Sequence, residues 1–88
     1  PMETNEYHSQ AQAARQERDR VIATARQAEH RGYLATRCGC RYPAECRCAE
    51  RVEAIAAYSI IYHIARATED RAERAYQSAL RNMAAVIA

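Results

Sequence analysis

Four cysteines, Cys38, Cys40, Cys46 and Cys48, are the residues of this chain whose type and spacing point most clearly to chemistry. All fall within the stretch CGCRYPAECRC, as two C-x-C pairs separated by five residues. Four thiolates complete a tetrahedral structural zinc site, and such sites are closed to substrate. The N-terminus shows no charged region followed by an apolar one, so the chain is expected to be soluble and cytoplasmic, where thiols stay reduced. Clustered cysteines then favour metal over disulfides, and one structural zinc per chain is expected. Gly39 allows the tight turn that chelation by an i,i+2 pair requires.

The spacing sets a condition on that reading. Zinc knuckles use C-x₂₋₄-C rather than C-x-C. If residues 46–48 were already helical, the Cys46 and Cys48 side chains would point about 200° apart. Zinc therefore requires the second helix to begin at or after about Cys48, where its positive end would also favour thiolates. Two disulfides, most simply Cys38–Cys48 and Cys40–Cys46, remain open, as does a soft alternative such as Cu(I) or an iron–sulfur cluster.

Arg37, Arg41, Arg47 and Arg51, with Tyr33 and Tyr42, surround the cysteines, and only Glu45 and Glu50 oppose them there. These arginines could offset the double negative charge of a zinc tetrathiolate and hydrogen-bond its sulfurs. Alternatively, the basic tip could meet nucleic acid, with arginine on phosphate and tyrosine stacked on a base. The net charge of +2 and pI near 8.6 favour the first role.

Catalytic signatures are missing from the sequence. His8, His30 and His63 are scattered and form neither H-E-x-x-H nor the E-x-x-H of a di-iron bundle. With two glycines in all, a phosphate-cradling loop can hardly be built. Four crowded thiols argue against a single activated nucleophile. A non-enzymatic protein is expected, without a small-molecule substrate.

The elements that must position the cysteines are two long helices. The composition is 49% hydrophobic but mean hydropathy is −0.58, because alanine supplies twenty residues while Trp and Phe are absent. Close helix packing through alanine is the natural way to bury such a chain. Thr4 and Asn5, or Ser9 with Gln12, offer helix starts. Tyr7, Ala11, Ala14, Val21, Ala25 and Ala28 then recur at helical spacing, interrupted by Arg18. Gly32 is expected to end that helix in the left-handed conformation, with Tyr33 folded back on Ala28.

The second helix follows without a Gly or Pro from residue 45 to the end. Val52 to Ala65 is apolar on most sides and needs more than one neighbour. The apolar face continues through Ala72, Ala75, Tyr76, Ala79, Leu80, Met83, Val86 and Ile87.

The expected fold is thus all-α: one domain, residues 1–88, formed as an antiparallel helical hairpin. Its first helix covers residues 5–31, its Cys-rich loop 32–47 and its second helix 48–87. At about 1.5 Å per residue, something like 16 residues of the second helix outrun the first. Dimerisation into a four-helix bundle through Ile61, Tyr76, Leu80, Met83, Val86 and Ile87 is expected. A three-helix monomer broken near Thr68, a possible N-cap, is the alternative. No stretch is long and apolar enough for a membrane span.

The leading functional expectation is an adaptor or regulator that binds a protein partner. The alternatives are a nucleic-acid-binding regulator that uses the basic tip and a thiol redox switch with disulfides in place of zinc.

Overall fold

The computed structural model describes residues 3–37 and 48–87, with side chains to residue 86. Among the described residues there are two helices and no strand: α1, Thr4–Ala35, and α2, Ala49–Ile87, packed together as a hairpin. The molecule is a rod of 63 × 16 × 14 Å. The expected roles of Cys38, Cys40, Cys46, Arg41, Tyr42 and Arg47 fall outside the described residues, as does the side chain of Ile87.

The seam between the helices is built from the residues that recur at helical spacing. Ala25 on α1 and Ala65, Tyr76 and Met83 on α2 are buried, Ala65 most completely at 3% exposure. Tyr7, Ala11, Ala14, Val21 and Ala28 are half-buried along the same line. Alanine at the centre lets the backbones approach, while Tyr76 and Met83 fill the wider end. Arg18 does not break this stripe. Its guanidinium lies 4.3 Å from the centre of the Tyr76 ring, and its stem covers the apolar seam while its charge stays near water.

Two expectations about the helix ends are corrected, and the alternative of a break at Thr68 is excluded. Gly32 does not stop α1, which runs on to Ala35, and no described residue has positive φ. Its lack of a side chain serves packing instead: a Cβ there would lie 3.0 Å from Ile61 Cδ1 and 3.4 Å from Tyr58 Cδ2. Glycine is needed because α2 comes close, not because the chain turns. The start of α1 takes no side-chain cap; Glu3 is the N-cap residue and its carbonyl accepts the Tyr7 N–H at 3.0 Å. Nor does α2 break at Thr68, whose hydroxyl donates to the Ile64 carbonyl at 2.8 Å within an unbroken helix. The three-helix alternative is therefore not the fold adopted.

The longer α1 also shrinks the expected overhang. With 32 residues in α1 and 39 in α2, only seven separate their lengths. Tyr76 and Met83, expected on a dimer face, are buried within the single chain, and Ile61 and Leu80 are half-buried there. Val86 alone of the described members of that set is largely exposed.

Candidate functional site

At 100° per residue, neighbours of a seam residue fall on opposite edges of the hairpin. Thr24 and Arg26 flank buried Ala25 in this way, and Thr68 and Glu69 lie to either side of the line through Ala65. The two edges are chemically unlike.

One edge is bridged by charge. Arg26 Nε donates to Glu69 Oε1 at 3.0 Å, Arg18 Nη1 to Glu73 Oε2 at 3.3 Å, and Arg66 Nη2 to Glu29. Arg66 Nη1 lies 3.1 Å from Glu69 Oε2, so this guanidinium joins carboxylates from both helices. It also stands over the Tyr62 ring, 5.1 Å from its centre. Tyr33, Tyr58 and Tyr62 continue the edge toward the connection, with ring centres 6.0 and 6.3 Å apart. Burial, and after it the nearby Glu29 carboxylate, pushes the Tyr58 phenol above its ordinary range.

The other edge is an apolar groove. Two shallow hollows, of about 480 and 380 Å³, lie end to end along it and share Val21 and Thr68. Alanines and methyl-bearing side chains dominate the lining. The Thr24 hydroxyl donates to the Arg20 carbonyl at 2.9 Å, as Thr68 does to Ile64, so both hydroxyl donors are used within their own helix. At the rim, Arg20 Nη2 donates to Glu17 Oε1 at 2.6 Å. This exposed hydrogen bond holds the Glu17 carboxyl below its ordinary range. Ile64 is 61% exposed beside the groove, and Ile60 is 63% exposed one turn earlier.

The cysteine connection is anchored at its base. The Thr36 and Arg37 amides donate to the Tyr33 and Leu34 carbonyls at 3.0 and 3.2 Å, closing α1. Arg51 Nε donates across the hairpin to the Thr36 carbonyl at 3.1 Å. Arg51, a candidate for nucleic acid or for the zinc sulfurs, thus clamps the end of α1 to the start of α2. Cys48 is exposed immediately before α2, and its carbonyl accepts the Val52 N–H at 3.1 Å. Since α2 begins at Ala49, the geometric condition on a zinc site is met at that end. Arg37 is exposed at the opposite root of the connection.

Among the described residues no three His, Cys, Asp or Glu side chains are grouped to hold a metal, and no described helix is long and apolar enough to cross a membrane. The groove was not among the expected site residues apart from Ile61 and Tyr76. Its signal was the apolar run from Val52 to Ala65, which has more apolar faces than one neighbouring helix can cover. The chain matches no protein-family model, no curated protein and no solved structure.

Proposed function

We propose that this chain is a non-enzymatic interaction protein: a helical hairpin clipped by zinc at Cys38, Cys40, Cys46 and Cys48, acting as an adaptor or regulator through its helix surfaces. The observation that carries the reading is the unlikeness of the two edges. Arginine and glutamate answer one another along one edge, while the groove of the other offers methyl groups and few polar side chains to orient a substrate. A surface of that kind suits helix packing better than bond-making.

The start of α2 at Ala49 supports the zinc half, because it leaves Cys48 outside the regular helix. The clip then fixes how two rods leave a short connection, a task it shares with the Arg51 clamp. Binding by the tip to nucleic acid draws less support, because Arg51 is engaged with the Thr36 carbonyl.

Elemental analysis of the purified chain, with a thiol count before and after chelation, tests the proposal. One zinc per chain, with four thiols becoming reactive when it is removed, is the expected result. A metal-free chain carrying two disulfides would overturn the clip. A low-salt gel shift with DNA or RNA that is lost on changing Arg41 and Arg47 to Glu would replace the adaptor reading with the nucleic-acid one.

A further inference from the structure

The hairpin leaves too much surface uncovered for its mass. A compact monomer of 10.0 kDa exposes roughly 5,200 Å², whereas this chain exposes 6738 Å². The excess of roughly 1,500 Å² exceeds the ~800 Å² that each partner contributes to an interface of ordinary size. The core agrees: among the described residues only Ala25, Ala65, Tyr76 and Met83 are buried, and no side chain is fully enclosed.

We propose that a second copy of this chain covers the groove, antiparallel to the first and related to it by a twofold axis near Thr68. This rests on the reading of the protein as an interaction module and names its partner. Thr68 is the middle residue of α2, Ala49–Ile87, and it is also where the two hollows meet. An axis there, crossing both helices, sets each α2 against the other α2 and brings residues equidistant from position 68 face to face.

The stripe is complementary to itself under that operation. Ile64 and Ile61 lie four and seven residues on the connection side of Thr68; Ala72 and Ala75 lie four and seven residues on the other. Each of these two isoleucines of one copy therefore meets an alanine of the other, a large side chain opposite a small one. A parallel arrangement would instead bring α1 of one copy against α2 of the other and lose the matching. The Arg26–Glu69 and Arg66–Glu29 pairs stay outside, in water, where charge is least costly, while Glu17, Arg18, Arg20 and Arg71 rim the contact.

Sedimentation equilibrium of the full chain, with zinc measured in the same samples, is the test. The unaltered chain should have twice the 10.0 kDa monomer mass. Ile64→Glu and Ala75→Glu should each raise the dissociation constant by on the order of 100-fold or more, because every dimer would bury two carboxylates. Both positions are exposed in the single chain, so circular dichroism at matched concentration should still report helix. Ile55→Glu, exposed on the ion-paired side, should leave the dimer intact. A second measurement needs no substitution: in a mixed-label sample, methyl NOEs should join Ile64 of one copy to Ala72 of the other. These residues are about 12 Å apart along a single helix and too distant to give the signal within one chain.

A monomer at several hundred micromolar overturns the proposal, as does a dimer lacking the Ile64–Ala72 signal or dissociated by Ile55→Glu alone. A zinc-bearing monomer would remove the second copy and keep the clip. A metal-free dimer would do the reverse.

Discussion

The two edges of the hairpin are made by adjacent residues of the same helices, yet they end in opposite chemistry. Where Arg26 and Glu69 face outward, the cross-helix contact is an exposed ion pair. Where Thr24 and Thr68 face outward, hydroxyls turn back to their own backbones and methyl groups line the gap. A charged edge can remain in water indefinitely, since solvent screens its pairs and completes their hydrogen bonds. A methyl-lined edge has no such remedy; only another apolar surface stabilises it. In the proposed dimer the first edge is the exterior and the second is the contact.

Substitutions in the seam should break both edges together and have the largest effect. Tyr76→Ala removes the ring that fills the wide end and supports Arg18, and should cost about 3 kcal/mol in chemical denaturation followed by helicity. Gly32→Leu should cost about 2 kcal/mol in the same assay, because its side chain must displace Ile61 and Tyr58. An undisturbed midpoint for either variant would mean that the helices do not meet along this line.

Smaller changes sharpen the contrast by touching the charged edge alone. Glu29→Ala should cost about 1 kcal/mol, because Arg66 loses a carboxylate while its Nε is already buried without a hydrogen bond. A double-mutant cycle on Arg26 and Glu69 should return only ~0.5 kcal/mol, and less at high salt. Tyr58 adds a weak pH dependence. Its folded phenol titrates above the ordinary value of 10.0, so its contribution is complete below that pH and is lost as pH rises through the folded value. Ultraviolet titration should show a tyrosine step above the ordinary value, and Tyr58→Phe should remove that step.

Much of the fold was legible from pattern. The spacing of Tyr7, Ala11, Ala14, Ala25 and Ala28 located the α1 seam, and the glycine- and proline-free run located α2. What failed was the meaning of single residues. Gly32 carries the signature of a helix end, but a glycine at a helix crossing has the same letter and no local mark to tell them apart. Thr68 followed by two acids looks like a cap, yet a threonine hydroxyl can equally bond its own helix four residues back.

Tyr76 and Met83, expected on a dimer face, are buried within the single chain, where the N-terminal half of α1 brings Arg18 onto the Tyr76 ring. The groove could be sensed as an excess of apolar faces, though not placed, since its shape depends on which side the ion pairs take. Of the tip, the sequence offered the cysteine spacing and the condition that α2 begin late; the Arg51 clamp depends on a contact fifteen residues away and had no sequence signature.

The claim that one edge is unfinished is tested most directly by thermal unfolding of the full chain at about 2 and about 200 µM. If the groove is covered by association, the folded state gains stability by mass action, and the midpoint should rise by several degrees at the higher concentration. An identical midpoint at both concentrations would mean that the hairpin is complete by itself.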